Sequence, residues 1–236
     1  MKPKHPYIDY TLLDEAAPLD AYAKLAMAAS EHEYAVRAVC VPPLSLIVTI
    51  CQEYLHGSDL GICTVIDFPF GDGGLKTKQD QVIAMLDLGV KEFDVVINLP
   101  ALRNGDLNDV HREIKTLAMM TEHIRIKAIL ETGHEWYNET LVKTVSRALH
   151  DAGVWCLKTS TGRQNHMTSA GFLPHIDFDD KLRHAGWMHE ACPDLMIKVA
   201  GGIASLQQIR DICVKIPKDK VLVGASKPIW LNGLPD

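Results

Sequence analysis

No stretch of this sequence approaches the ~20 apolar residues of a membrane-spanning helix. The most apolar run, from Val39 to Cys51, is short and broken by Pro42 and Pro43. The opening MKPKHPYIDY carries no apolar segment of the kind a secretory signal needs. Basic runs are missing as well: 24 Lys and Arg stand against 30 Asp and Glu, a formal charge of -6, which makes a poor nucleic-acid binder. The six cysteines (Cys40, Cys51, Cys63, Cys156, Cys192 and Cys213) include no CxxC, and several sit inside apolar runs. They read as free thiols in a reducing cytoplasm. Eleven histidines supply neither HxH nor HExxH, so no metal site is expected. With 47% hydrophobic and 23% charged residues over 236 positions, the chain is neither disordered nor too short for a full core.

What is present is alternation. Short runs, most of them rich in Val and Ile and followed by Pro, Gly, Ser or Thr, predict strands over Tyr7–Thr11, Val36–Val41, Ile62–Phe68, Glu92–Leu99, Arg125–Thr132, Val154–Thr159, Leu195–Ala200 and Val221–Ala225. Amphipathic stretches between them predict helices, among them Leu19–Ser30, Gln79–Leu88, Val110–Glu122, Thr140–Asp151 and Leu206–Val214. Gly89 and Gly153 look like helix ends. Eight strands alternating with helices predict one α/β domain over residues 1–236 with a parallel sheet. Such a sheet closes as an eight-fold βα barrel or opens as a doubly wound sheet. The open sheet usually places a glycine-rich loop after its first strand, where this chain has Leu12-Leu13-Asp14, so the barrel is favoured. The long gap from Gly162 to Asp194, with His166, His175, His184 and His189, predicts an inserted loop above the usual helix.

Barrel active sites lie at the C-terminal ends of the strands. A strand alternates faces, so Val154, Cys156 and Lys158 point one way and Trp155 and Leu157 the other. The bulky pair suits the strand–helix layer, and the set ending in lysine suits the interior. Met196, Lys198 and Ala200 share a face on the next barrel strand; Asp94, Val96 and Asn98 share one on the fourth. Two lysines would then meet a carboxylate in one cavity. Burial and a neighbouring positive charge both lower a lysine's pKa, and a neutral amine in a sugar-sized pocket suggests Schiff-base chemistry with a carbonyl substrate. A lone lysine is otherwise a solvated surface group. Glycine-bearing loops around Gly162, Gly201, Gly202 and Gly224, with Arg163 and Lys227 close in sequence, either hold an anion or merely turn tightly. Cys40, at the end of the second strand, either faces the cavity or is a small core residue.

The strand ends resemble a known family. Tyr7-Ile-Asp9-Tyr-Thr11-Leu-Leu13, Val39-Cys40-Val-Pro42, Glu92-Phe-Asp94-Val-Val-Ile-Asn98, Lys127-Ala-Ile-Leu-Glu131-Thr132, Lys158-Thr-Ser-Thr-Gly162 and Lys198-Val-Ala-Gly201-Gly202 are similar to deoxyribose-phosphate aldolases, which are class I aldolases. The likeness runs from Tyr7 to Ser226 and is most specific at Lys158–Gly162 and at the lysine before the paired glycines. It implies a single (β/α)8 TIM barrel and reversible cleavage of 2-deoxy-D-ribose 5-phosphate to acetaldehyde and D-glyceraldehyde 3-phosphate, without a cofactor or metal. By position, it implies Lys158 as the Schiff-base lysine, Lys198 as the lysine that perturbs it, and Asp94 as the proton-transferring carboxylate. Asp9, Thr11, Cys40 and Thr161 fall in the pocket, and Gly162, Arg163, Gly201, Gly202, Ser226 and Lys227 at the phosphate end.

Departures cluster at that phosphate end. Ala204 stands where arginine is usual, Ser226-Lys227 replaces paired serines, and residues 164–189 form a longer segment. Tyr10 and Asp67 replace a histidine and a glycine. Lys227 either compensates for the missing arginine or marks a different substrate end. The alternatives are therefore a Schiff-base aldolase of another, unphosphorylated 2-deoxy aldose, and a non-catalytic sugar-phosphate-binding barrel. Expected partners are a small sugar phosphate and aldehydes, with no nucleic acid and no membrane. A homodimer is the commonest arrangement for such a protein.

Overall fold

The computed structural model describes residues 7–33, 35–120, 123–163, 167–168, 171–172 and 175–227. Expectations for the first six residues, Glu122 and His166 lie outside the described residues. In chain order the elements are β1 (Tyr7–Thr11), α1 (Leu19–Ser30), β2 (Val36–Val41), α2 (Ser45–Tyr54), β3 (Gly61–Ile66), α3 (Gly74–Leu86), β4 (Glu92–Val96), α4 (Leu99–Arg103), α5 (Leu107–Ala118) and β5 (Arg125–Ile129). They continue with α6 (Glu139–Asp151), β6 (Cys156–Lys158), β7 (Met167–Thr168), β8 (Gly171–Phe172), α7 (Phe178–Ala191), β9 (Met196–Ala200), α8 (Leu206–Lys215) and β10 (Val221–Ala225). Eight strands close a ring in the order β1-β2-β3-β4-β5-β6-β9-β10, every neighbour parallel, and β10 returns to β1. The chain is a (β/α)8 barrel. β7 and β8 pair antiparallel as a separate two-residue ribbon within the expected insertion, ahead of α7.

Alternation along the strands sorts the two faces. Val39, Val41, Phe93, Val95, Ile126, Ala128, Leu157, Ile197, Val199 and Val223 are buried in the strand–helix layer. Each Val, Leu, Ile or Phe among them contributes about 1.5–3 kcal/mol by leaving water. The helices return an apolar stripe at helical spacing: Val110, Ile114 and Leu117 on α5, and Val142, Val145 and Leu149 on α6. The inward faces carry Asp9, Cys40, Cys63, Asp94, Lys127, Lys158 and Lys198, all buried. The barrel therefore keeps its apolar core outside the strands and an ionic one inside.

Several predicted strands end early, for local reasons. Asp67 and Glu131 adopt left-handed backbone conformations, φ 50° and 51°, which turn the chain out of β3 and β5. Asp67 occupies the position where the family resemblance expects glycine. Its carboxylate accepts from the Gly73 N–H at 2.9 Å, and its own N–H donates to Gln81 at 2.7 Å. Asn98 leaves the fourth strand to cap α4, accepting from the Ala101 N–H at 3.0 Å. Gly89 and Gly153 end their helices as expected, at φ 79° and 92°. Trp155 corrects the reading of its strand: β6 starts only at Cys156, and the indole lies under Arg37 and Arg125, 4.5 Å and 5.2 Å from their guanidinium carbons.

Candidate functional site

The inward strand ends converge on a chain of ion pairs. Lys158 on β6 donates to Asp94 Oδ2 on β4 at 2.6 Å. Lys198 on β9 donates to the same oxygen at 2.8 Å and to Asp9 Oδ2 on β1 at 2.6 Å. Lys127 on β5 donates to Asp9 Oδ2 at 2.7 Å and stands 3.1 Å from Glu92 and 3.5 Å from Asp94. Arg37 closes the lower end against both Glu92 oxygens and lies 3.7 Å from Asp9. Adjacency of β6 and β9 explains the pairing of the two lysines, whose Cα atoms are register partners.

Burial disfavours every charge in this column, and the opposite charges decide the outcome. Burial raises the Asp94 carboxyl, but Lys158, Lys198 and Lys127 outweigh it and hold the group well below the usual carboxylate range. Asp9 is held low in the same way, by Lys127 and Lys198. For Lys198 the expectation is reversed. Burial lowers its pKa, yet Asp9 and Asp94 together push it above the ordinary lysine value, so Lys198 is an ammonium. The sequence pattern brings two lysines and the Asp94 carboxylate together; the structure adds Asp9 as a second carboxylate, shared by Lys198 and Lys127.

A cavity of about 400 Å³ opens above this column at the C-terminal end of the barrel. Its lining includes Lys158, Thr11, Thr161, Gly162, Arg163, Gly201, Gly202, Ser226 and Lys227. The other expected pocket residues (Asp9, Cys40, Asp94 and Lys198) lie one layer beneath it, buried. Of the three interior lysines, only Lys158 lines the cavity. Thr11 donates to the Asp9 carbonyl at 2.9 Å. The Arg163 guanidinium is tied to the Leu13 carbonyl, and the Arg163 backbone N–H donates to Thr161 Oγ1 at 3.1 Å. The loops of Gly162 and Gly201 touch: a Cβ built on Gly201 would sit 2.9 Å from Gly162 Cα, and both glycines have positive φ, 77° and 86°. Beyond Gly202, Ser205 opens α8 with a capping box, accepting from the Gln208 N–H at 3.2 Å.

Residues outside the expected set also build the site. Lys127 supports Asp9, and Glu131 accepts from the Thr161 N–H at 2.8 Å, which fixes the loop after β6. Lys181 on α7 bonds the Gly201 carbonyl from behind. Alternation on β5, counted as on β6, puts Lys127 on the inner face; Lys181 gives no such signal. Cys40, Cys63 and Asp94 present ligand atoms within 4.8 Å of one another. The ammonium groups already on Asp94 make that set hostile to a metal cation. A larger cavity, about 800 Å³, opens at the opposite end among Gln52, Gly61, Lys91, Glu92 and Arg125, away from the residues that meet at the strand C-termini.

No protein-family model matches the chain. Known relatives do. It is 33% identical to a deoxyribose-phosphate aldolase of Staphylococcus carnosus over 226 residues, 95% of this chain and 93% of that one. It is 31% identical to a deoxyribose-phosphate aldolase of Treponema denticola over 186 residues, 76% and 83% of the two chains. Among solved structures it resembles a deoxyribose phosphate aldolase of Aeropyrum pernix described as a unique tetramer, with TM-score 0.72 and 23% identity over 93% of this chain and 85% of that one. It also resembles QR15, an aldolase, with TM-score 0.77 and 22% identity over 96% and 93%. At these identities the solved structures establish the shared fold, while the sequence relatives go further. Nearly end-to-end identity of about a third, on a barrel whose inner strand ends carry the lysines and aspartates described above, shows that this chain belongs to the deoxyribose-phosphate aldolase family.

Proposed function

We propose that the protein is a lyase that reversibly cleaves 2-deoxy-D-ribose 5-phosphate to acetaldehyde and D-glyceraldehyde 3-phosphate through an imine on Lys158. The observation that carries this reading is that Lys158 lines the cavity while touching Asp94. Its amine is therefore open to substrate on one side and to a proton carrier on the other. Four cations (Arg37, Lys127, Lys158 and Lys198) face three carboxylates (Asp9, Glu92 and Asp94) in the column, apart from the half-exposed Arg125. Imine formation needs the free amine of Lys158, the member beside the cavity. Lys198, locked as an ammonium between Asp9 and Asp94, stands beside it on the adjacent strand.

The neutral amine attacks C1 of the open-chain sugar, and loss of water leaves an iminium. That cation draws electrons from the C2–C3 bond. A base takes the C3 hydroxyl proton, the bond breaks, and glyceraldehyde 3-phosphate departs. The enamine left on Lys158 is protonated at C2 and hydrolysed to acetaldehyde. Asp94, acting through water, is the proton carrier. Thr11 and Thr161 line the sugar's path, and Asp9 and Cys40 shape the floor. The phosphate sits against the Gly162, Gly201 and Gly202 loops and the start of α8, with Ser226 and Lys227 at the rim.

The test is retro-aldol turnover of the phosphorylated deoxysugar in chelator. Undiminished turnover is expected; loss in chelator contradicts the imine route. A second reading, an aldolase of an unphosphorylated 2-deoxy aldose, is favoured by exposed Ala204 in place of arginine and by the tie of Arg163 to Leu13. A strong preference for the phosphorylated substrate removes it. The buried free thiols fit a reducing compartment, and we place the enzyme in the cytoplasm.

A further inference from the structure

Beneath the cavity lie two thiols to which the imine chemistry gives no bond-making role. Cys40 on β2 and Cys63 on β3 are register partners across a parallel ladder. Strands in a sheet lie about 4.8 Å apart, and paired positions project to the same side. That separation falls within the Cα range of disulfides, roughly 4.4–6.8 Å. Their sulfurs and an Asp94 oxygen all lie within 4.8 Å of one another. Both also reach Asp94, Cys63 at 3.1 Å from Oδ1 and Cys40 at 3.9 Å from Oδ2.

The pair is asymmetric. The neighbouring Cys63, against the cost of burial and the Asp94 charge and helped by Lys198 and Lys158, lowers the Cys40 thiol. Burial, followed by its contact with Cys40, pushes Cys63 well up. Cys40 is thus the more acidic of the two and the better placed to attack an oxidant. Both are buried, but the small cluster that contains them is covered by Leu13 and Phe68, and Leu13 itself lines the cavity. A small molecule in the cavity is one side chain away.

We propose that Cys40 and Cys63 form an oxidation-sensitive dithiol whose disulfide shuts down the chemistry above it. The oxidant is a small hydroperoxide. Cys40 gives up its proton as it attacks a peroxide oxygen, the O–O bond breaks, the sulfur becomes a sulfenic acid, and the leaving oxygen takes that proton. Cys63 then attacks the sulfenic sulfur and water leaves. Two thiols lose two electrons and two protons, and one hydrogen peroxide becomes two waters. The disulfide removes the Cys63 S–H from Asp94 Oδ1 and frees the carboxylate to reorient. The consequence for turnover rests on the aldolase reading; the disulfide itself does not.

The experiment treats the whole purified protein with hydrogen peroxide and follows turnover and non-reducing peptide maps together. A Cys40–Cys63 linked peptide is expected, in step with a turnover loss of about tenfold, the worth of one hydrogen bond to a charged group. Both changes should reverse in dithiothreitol. Cys63→Ala should form no link and should lose its own starting activity more slowly than wild type. Three results overturn the proposal: both thiols stay free while half-buried Cys213 is oxidised, the link forms with turnover intact, or Cys63→Ala is inactivated as fast as wild type. Absence of any turnover before treatment counts against the aldolase reading alone, because the peptide map still decides the disulfide.

Discussion

At the scale of single residues, Lys158 and Asp9 separate reactivity from scaffold. Lys158→Met removes the only interior lysine that lines the cavity, so turnover should fall to background in a coupled assay. The barrel should stay folded, because Asp94 keeps Lys198 at 2.8 Å and Lys127 at 3.5 Å. Asp9→Ala acts in the opposite sense. It strips a shared partner from Lys127 and Lys198 deep in the barrel, and uncompensated buried charge costs about 3–5 kcal/mol. A drop of that size in the free energy of unfolding, read from denaturant titrations, is the expected outcome; an unchanged stability would contradict the ionic-column account. The sequence makes Lys158, Lys198 and Asp94 legible because alternation puts each on an inward strand face. It hides the charge state of Lys198, which depends on carboxylates from β1 and β4, far away in the chain.

At the scale of elements, the strands are legible and their ends are not. β1, β2 and β10 carry their predicted bounds, since each apolar run stops where the ladder stops. β3, β4 and β5 stop short because Asp67, Asn98 and Glu131 leave the ladder through turns and caps that look like continued strand in one dimension. α2 is hidden inside the apolar run after Pro42-Pro43, and α7 inside the histidine-bearing segment, where the Asp177 side chain accepts from the Asp180 N–H at 2.9 Å to start it. The loops after β6 and β9 form one unit through the Gly162–Gly201 contact. Gly201→Ala would place a Cβ against backbone and force a side chain into a left-handed conformation, a strain of about 1–2 kcal/mol. Because these loops form the proposed phosphate cradle, KM for the phosphorylated sugar should rise more than kcat falls. An equal fall in kcat with KM unchanged would take the cradle away from these loops.

At the scale of the whole molecule, titration couples stability to acidity in two windows. Burial, helped by Arg103, pushes the His134 imidazole down to about 4, and its Nε2 is buried without a partner among the described residues. Below an ordinary histidine pKa of about 6.5 the unfolded chain takes up a proton that the folded one refuses, so stability falls as pH drops from there toward 4. Thermal midpoints at pH 7.5 and 5 should differ, and His134→Leu should narrow the difference. Asp9 and Asp94, held low in the fold, contribute stability that is present above about pH 4 and lost below it. The proposed reaction starts with the amine at the cavity end of the same column, Lys158, bonding to the sugar's C1. Borohydride reduction in the presence of the phosphorylated deoxysugar, followed by peptide mass mapping, tests that claim most directly. The account predicts one reduced adduct, on Lys158 and absent from Lys158→Met; an adduct on Lys127, Lys198 or Lys227, or turnover with no trapped amine, would contradict it.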